Sequence, residues 1–263
     1  MLPVGEFLQT CCVERRCMNR FFEPFAMNRL PLFFALLSAA LALAAYPRLH
    51  QRLLRYQTHH AAEKVTAQVT PQLRDGDLIF QTSQSSQSQA IQLATHSPYS
   101  HCGILYRRDG KWQVFEAVQP VKLTPLAAWV ARGEGRQFVV KRLRDAATAL
   151  TPAALARLKA AGQPLLGRGY DLAFGWGDDR IYCSELIWKV YERGLHRRLG
   201  TLQHLRDFDL SHPAVQAKLR ERYGAKLPLD EAVISPVGIF NSPELVTVTS
   251  RLKPKPTHTV LKG

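Results

Sequence analysis

Cys183 occupies the position in this chain best suited to nucleophilic chemistry. It comes directly before residues 184–193, whose apolar side chains recur at the spacing of one helical face. A thiol in the first turn of a helix lies near unpaired backbone N–H groups and the positive end of the helix dipole, which favour the thiolate. The same position offers the Cys183 N–H as a donor to an oxyanion, and the Tyr182 hydroxyl is a candidate second donor. Cys183 is therefore a candidate nucleophile, and the alternative is a small buried apolar residue.

A base for this thiol is expected from a β-hairpin. Two runs of strand-like residues flank Asp109-Gly110, a dipeptide that signals a hairpin turn. With a two-residue turn, Glu116 lies opposite Gly103; with a four-residue loop, it lies opposite His101. Both registers put the carboxylate and the imidazole on one face and within reach of each other, whereas a three- or five-residue loop would turn one of them away. We therefore predict that His101 is the general base and that Glu116 orients its ring.

Other kinds of site have weaker support. The sequence contains no G-x-S-x-G, H-E-x-x-H or phosphate-loop motif and no C-x-x-C pair. His96, His101 and Cys102 are potential zinc ligands, but no fourth ligand stands at a recognisable spacing. Cys102 follows His101 on its strand and is expected to point to the opposite face, into the core. We predict no metal and no cofactor.

The elements around these residues predict an α+β domain, in which a small antiparallel sheet packs with helices. The predicted strands are residues 77–80, 101–106, 111–118 and 137–143. A helix is predicted from Thr151 to Gly162, because Thr is a favourable N-cap, Pro152 suits the first helical position and Gly ends helices. A second helix is predicted directly after Cys183.

An apolar segment precedes this domain. Residues 30–45 carry no charge, follow Arg29 and end in Ala-Leu-Ala, which is the pattern of a secretory signal peptide. The segment is short for a membrane span, which needs about 20 residues, so a signal-anchor is the alternative. The chain is expected to be exported, either to the periplasm or to the outer face of the cytoplasmic membrane as an anchored protein.

We predict five regions along the chain. Methionines at positions 18 and 27 suggest that the first region, which contains Cys11, Cys12 and Cys17, is an over-extended start. The regions are an N-terminal extension (1–29), a signal peptide or signal-anchor (30–45), a basic helical linker (46–70) that we expect at the surface, a catalytic domain (71–247) and a flexible tail (248–263).

The charge balance bears on partners. The chain has 35 Lys and Arg against 21 Asp and Glu, for a net charge of +14. A field of this sign favours anionic surfaces such as phospholipid or wall polymer. The basic residues are spread along the whole chain without the motifs of a nucleic-acid module, so we predict no nucleic acid. An anionic membrane surface is a candidate partner, and the simpler interpretation of the charge is a basic surface that keeps the protein soluble.

Several stretches resemble a known family. They are GDLIFQTSQSSQSQAIQLATHSPYSHCGIL, VFEAVQPVKLTPL, LLGRGYDLAF, DDRIYCSELIWKVYERG, DFDLSHPAVQAKLRERYG and ISPVGIF, which together span about residues 73–247. These motifs are similar to those of the YiiX/YaeF family of permuted papain-like proteins, relatives of NlpC-type cell-wall peptidases and of lecithin–retinol acyltransferase-like enzymes. The resemblance implies a circularly permuted papain-like fold, with the histidine strand before the cysteine helix. It also implies Cys183 as nucleophile, His101 as base, Glu116 as the histidine-orienting residue and Tyr182 as the aromatic neighbour of the nucleophile.

The residues and the resemblance together predict a cysteine-dependent hydrolase of amidase or peptidase type. It would act through a thioester on an amide-containing substrate of the cell envelope, such as a peptide or murein fragment. One alternative is a lipid acyl hydrolase or acyltransferase, for which we expect a wide apolar groove beside Cys183. The other alternative is a non-catalytic binding protein on the same scaffold.

Overall fold

The structure is a computed structural model that describes residues 30–252. The predicted N-terminal extension, with Cys11, Cys12 and Cys17, and the last part of the predicted tail, residues 253–263, lie outside the described residues. The chain divides into two compact units, Met1–Tyr56 and Gln57–Gly263.

Helices and strands alternate through the second unit. The helices of the described chain are α1 (Leu30–Val69), α2 (Ser86–Thr95), α3 (Leu126–Ala131), α4 (Ala146–Ala149), α5 (Pro152–Gly162), α6 (Cys183–Leu195), α7 (Pro213–Tyr223) and α8 (Pro236–Phe240). The strands are β1 (Leu78–Gln81), β2 (His101–Arg108), β3 (Lys111–Glu116), β4 (Lys122–Pro125), β5 (Phe138–Leu143), β6 (Gly169–Tyr170), β7 (Arg180–Ile181), β8 (Gln203–His204), β9 (Ala232–Val233) and β10 (Leu245–Arg251).

Six of the strands form one antiparallel sheet in the order β10-β5-β1-β2-β3-β4. Successive side chains of a strand point to opposite faces, so the central strands contribute side chains to a hydrophobic core on each face of the sheet. Leu78 and Phe80 of β1 pack on the face that carries α6, whereas Ile79 packs on the other face with Trp129 of α3. The sheet is therefore covered on both faces, and the predicted α+β class is confirmed.

The hairpin of β2 and β3 has the two-residue turn. Arg108 pairs with Lys111, which leaves Asp109 and Gly110 as the turn. Both turn residues have positive φ, 51° and 75°, as the favoured two-residue hairpin turn requires. The first of the two predicted registers is confirmed and the four-residue loop is wrong. The predicted base and its carboxylate partner therefore share a face.

Local sequence signals set the ends of the helices beside the site. Helix α5 begins at Pro152, and the Thr151 hydroxyl accepts a hydrogen bond from the Ala154 N–H at 3.2 Å, as the sequence predicts. Helix α6 begins at Cys183, and the preceding N–H of Tyr182 is satisfied because it donates to the helix's own Glu185 at 3.2 Å. The apolar face of α6 is buried against the sheet, which fixes the position of its first residue.

The predicted boundaries at both ends of the catalytic domain need correction. Strand β10 pairs with β5 as far as Arg251, so the first four residues of the predicted tail belong to the sheet. Three of those four residues, Thr249, Ser250 and Arg251, are polar and gave no sign of a strand. At the other end, the predicted surface linker contributes Ala62, Val65 and Val69 to the core on the α3 face, so that part of it is not a surface helix.

Residues 30–56, the described part of the first unit, are helical throughout. Large apolar side chains there are exposed, among them Phe33, Leu41 and Leu43. Helix α1 is long and apolar enough to cross a membrane, and a signal sequence near an N-terminus has the same features. The helix is compatible with either the signal peptide or the signal-anchor predicted for residues 30–45.

Candidate active site

His101 lies at the start of β2, on the face of the sheet that carries α3. Its Nε2 is 2.6 Å from Oε2 of Glu116, and its ring stacks on that of Trp129 with centroids 5.8 Å apart. Cys183 is close enough to the ring to raise the pKa of His101. Because Nε2 is taken by the carboxylate, Nδ1 is the nitrogen left for the sulfur. The fold thus brings the three predicted residues, Cys183, His101 and Glu116, into one region, with a direct hydrogen bond between the last two.

Glu116 is held firmly behind the histidine. Its side chain is fully buried, and Oε1 accepts hydrogen bonds from Thr124 Oγ1 and from the Arg132 guanidinium, each at 2.5 Å. Burial opposes ionisation of this carboxyl, but the hydrogen bond to His101 and the positive charges of His101 and Arg132 lower its pKa to about 2. Glu116 is therefore a fixed negative charge beside the imidazole at every physiological pH.

The charge state of the cysteine–histidine pair follows from these contacts. Hydrogen bonding from the Cys102 thiol lowers the pKa of Cys183 well below its ordinary value; burial opposes this, and His101 reinforces it. Burial alone would lower the pKa of His101, but hydrogen bonds to Cys183 and Glu116 outweigh it and raise the pKa to about 9. Both shifts favour the thiolate and imidazolium forms of the pair, which together are the reactive form of a cysteine nucleophile.

The Cys102 contact was not foreseen from the sequence. Cys102 does point away from His101 into the core on the α6 face, as predicted, and it is fully buried. Helix α6 brings Cys183 into the same core cluster, where Cys102 is close enough to lower the pKa of Cys183. Burial raises the pKa of Cys102 well above its ordinary value, so this thiol stays protonated and acts as a donor.

The predicted oxyanion donor Tyr182 has its hydroxyl engaged elsewhere. The hydroxyl accepts a hydrogen bond from the Ile234 N–H at 3.2 Å, and the ring packs edge-on against Phe174. Tyr170, to which the sequence reasoning gave no role, is better placed. Its hydroxyl accepts a hydrogen bond from Gln87 at 3.0 Å and keeps its own proton to donate. Its pKa is raised well above the ordinary value by burial and by the charge of the nearby Cys183 thiolate, so the proton is retained.

Two cavities of contrasting character adjoin at the site. One is almost entirely apolar and is lined by Cys183 together with residues of α2 and α7. The other, which we call the polar cavity, is lined mainly by polar residues, among them His101, Arg132 and a group of Ser and Gln side chains. Ile91 and Tyr170 line both cavities. The thiolate therefore faces an apolar space, and the imidazole faces a polar one.

Comparison with known proteins places this geometry in a family. A family model described as "Permuted papain-like amidase enzyme, YaeF/YiiX, C92 family" matches residues 72–249. The chain belongs to this family. The resemblance noted in the sequence is thereby confirmed, together with the permuted papain-like fold. At family level the protein is a cysteine hydrolase of the amidase type.

Relatives in the YaeF/YiiX family cover the same part of the chain. The chain is 52% identical over 177 residues to a protein of Escherichia coli strain K12 named uncharacterized protein YiiX, a match that covers 67% of this chain and 86% of that protein. A crystal structure of YiiX from Escherichia coli O157:H7 is 51% identical, with a TM-score of 0.66, and the match covers 69% of this chain and 99% of that chain.

The YiiX protein of that crystal structure is described as a metalloprotein. Within residues 30–252 of the present chain, no group of three or more His, Cys, Asp or Glu side chains is arranged to hold a metal ion. Of the weak zinc candidates, the exposed side chain of His96 is paired with Asp209 at 3.1 Å, and His101 and Cys102 are engaged with Cys183. The described residues do not fit a metal site, and no step is assigned to one.

Proposed function

We propose that this protein is a cysteine amidase that works through a thioester acyl-enzyme, with Cys183 as nucleophile, His101 as acid–base and Glu116 as the residue that orients the imidazole. The observation that carries the proposal is the 2.6 Å hydrogen bond between the buried Glu116 and His101, with Cys183 close enough to the imidazole for each to shift the pKa of the other toward its charged form. This arrangement would supply a thiolate and a proton donor side by side.

The reaction begins from the ion pair. The Cys183 thiolate attacks the carbonyl carbon, and the oxygen that gains charge is met by the Cys183 backbone N–H at the start of α6 and by the Tyr170 hydroxyl. The His101 imidazolium gives its proton to the leaving nitrogen, the C–N bond breaks and a thioester remains. His101 then takes a proton from water as the water attacks the thioester, which releases the acid and restores Cys183.

The two cavities support a proposal for the class of substrate. The acyl carbon must sit on Cys183, which lines the apolar cavity, whereas the leaving group must sit next to His101, which lines the polar one. We infer that the substrate joins an apolar acyl group to a polar amine. An apolar cavity beside the nucleophile favours an acyl chain over the hydrophilic stem of a murein fragment.

The same apolar cavity supports a second candidate, a lipid acyl hydrolase or acyltransferase that acts on esters. Lys218 and Arg222 of α7 line this cavity among its apolar residues, so an acyl lipid with an anionic group would find complementary charge there. The two candidates share the acyl group and differ in the bond cleaved. They are separated by comparing an amide and an ester of the same acid.

The test uses the full chain with four substrates: a dodecanoyl and an acetyl derivative of one polar chromogenic amine, and the two corresponding esters. We expect the dodecanoyl amide to be cleaved with the higher kcat/KM, and an acyl adduct on Cys183 to be seen by intact mass after rapid quenching. Cys183→Ala is the matched control and should form no adduct. Equal rates for the acetyl and dodecanoyl amides would contradict the substrate assignment, and turnover by Cys183→Ala would contradict the mechanism.

We further propose that the enzyme acts at the cell envelope, held there or delivered there by the apolar helix of residues 30–56. The exposed apolar side chains of this helix support membrane contact. Cell fractionation tests this: the protein should be found in the periplasm or with membranes. Recovery of full-length protein in the cytosol alone would refute it.

A further inference from the structure

A further cavity lies between α5 and the sheet, away from the proposed active site. We call it the α5 cavity; the residues that line it include Tyr106, Arg108, Phe115, Leu123, Lys159 and Leu166. It shares no lining residue with either cavity beside Cys183. Tyr106 lies five residues along β2 from His101, which is roughly 17 Å at the rise of an antiparallel strand. The proposed reaction therefore gives the α5 cavity no role.

One end of the α5 cavity is basic. Tyr106 and Arg108 are two residues apart on β2 and so share a face of the sheet. The Lys159 Nζ of α5 lies 5.5 Å from the centre of the Tyr106 ring, which brings it to the same end. Lys159 is 3.5 Å from Asp75, and Arg108 is 3.7 Å from the exposed Asp109; such surface ion pairs contribute little. Within the described chain, no acidic side chain lines this cavity, so both cations keep N–H donors for an anion.

A hydroxyl without a partner lies at the same end. The Tyr106 side chain is buried, and its hydroxyl has no hydrogen-bond partner among the described residues. Burial and the charge of Asp75 raise the pKa of Tyr106 above its ordinary value, so the hydroxyl keeps its proton and can donate it. Buried polar groups are nearly always paired. An acceptor atom of a ligand at this end of the cavity would supply the missing partner.

The other end of the α5 cavity is apolar. Phe115 of β3 pairs with Leu123 of β4, two strands away from β2, or roughly 10 Å at the spacing of neighbouring strands. Helix α5 approaches closely there, since a Cβ at Gly162 would come within 2.8 Å of the Phe115 ring. Leu166 is nevertheless 43% exposed, although a large apolar side chain gains from burial. This end therefore offers a surface that an apolar group would cover.

We propose that the α5 cavity is a second binding site, which takes an amphiphilic anion. Its carboxylate or phosphate head lies at the basic end, and its apolar chain covers the apolar end. An inorganic anion would leave the apolar end exposed, and a neutral chain would leave the cations and the Tyr106 hydroxyl without a partner. A fatty acid and a lipid phosphate share the required chemistry. The site does not depend on the proposed function, because binding there needs no reaction at Cys183.

The experiment uses the full chain in phosphatidylcholine nanodiscs and three photoreactive probes: octyl phosphate, octanoate and the neutral octyl glucoside, each with a diazirine at the chain end. Labelled peptides are mapped by mass spectrometry. We expect at least one of the two acids to label the segments that contain Leu123 and Leu166, and the stronger of the two identifies the head group. The glucoside should label these segments at least about fivefold less. Label in the cavities beside Cys183 is counted separately.

A pair of double variants tests the basic end. Arg108→Gln with Lys159→Gln removes two charges at exposed positions and should reduce labelling of the α5 cavity about tenfold below saturation. Arg198→Gln with Lys226→Gln is the matched control, because it removes two exposed charges that line none of the three cavities. Thermal unfolding checks that both variants keep the fold. The proposal is overturned if neither acid labels the α5 cavity, if the glucoside labels it as strongly, or if the two double variants are labelled equally.

Discussion

Glu116→Gln tests the electrostatic core of the proposed mechanism. The substitution keeps the size of the side chain and one oxygen for the His101 ring, but it removes the buried negative charge that faces the imidazolium. An imidazolium that no longer faces a negative charge loses its proton at lower pH. The pKa of His101 must therefore fall, and activity, which needs the protonated ring to release the amine, must be lost at lower pH than in the original enzyme.

The magnitude follows from the contacts of His101. Burial lowers its pKa, yet the partners raise it from 6.5 to about 9, a change that corresponds to roughly 3 kcal/mol in favour of the imidazolium. Cys183 is the larger contributor and Glu116 the smaller. The partners together raise the pKa by more than this net change, because they also offset burial, and Glu116 supplies the smaller share. Loss of the carboxylate should therefore move the alkaline limb down by at least about one pH unit, the equivalent of roughly 1 kcal/mol.

Two measurements check this expectation. One is the pH dependence of kcat/KM with the dodecanoyl amide; the other is titration of the His101 ring by NMR, assigned with a His101→Asn variant, which needs no substrate. Glu63→Gln is a matched control, since that carboxylate pairs with surface histidines of α1 at 47% side-chain exposure and should leave the profile unchanged. An alkaline limb that stays in place or moves upward in Glu116→Gln would refute the reasoning.

Three further substitutions probe the site and its scaffold. Tyr170→Phe should lower kcat about tenfold to a hundredfold with little change in KM, because one oxyanion donor is lost; Tyr223→Phe, on α7, is the control, and an equal effect in both would contradict this role. Thr124→Val should lower kcat/KM about tenfold, since Glu116 loses one hydrogen bond of roughly 1.4 kcal/mol, and an unchanged pH–rate profile and kcat/KM would contradict a positioning role. Gly103→Ala should lower the free energy of unfolding by about 1–3 kcal/mol, because a Cβ there would come within 2.4 Å of Val114 Cγ1 and 2.9 Å of the Phe115 carbonyl oxygen. Gly177→Ala is the control, because a Cβ there meets nothing within 4 Å. Equal melting temperatures of the two variants in thermal unfolding would contradict this expectation.

The parts of this site that depend on local rules were predictable. A two-residue turn with positive φ fixes the register of the hairpin, and register fixes the face of each side chain, so His101 and Glu116 had to meet. The N-cap threonine and the first-turn proline of α5 set the start of that helix in the same local way. In these places the conformation of each residue is set by residues close to it along the chain or across one turn.

The parts that depend on the docking of one element against another were not predictable. Thr124 and Arg132 converge on Glu116 because β4 and α3 fold back beside β3, and no periodicity in the sequence encodes that convergence. Tyr170 comes to the site from a two-residue strand too short to carry a pattern. Residues 248–251, the last four of edge strand β10, lie beyond the predicted domain because three of them, Thr249, Ser250 and Arg251, are polar.

The position of α6 explains how two neighbouring residues of β2 can both act on Cys183. His101 and Cys102 are adjacent on β2 and point to opposite faces of the sheet, so no single point above either face is near both side chains. Both nevertheless shift the pKa of Cys183 or have their own pKa shifted by it, which places the first residue of α6 near the end of the sheet, where the two faces meet. One face supplies the imidazole and its buried carboxylate, and the other supplies a buried thiol. The thiolate of a nucleophile in this position is favoured from both faces by neighbouring residues of a single strand.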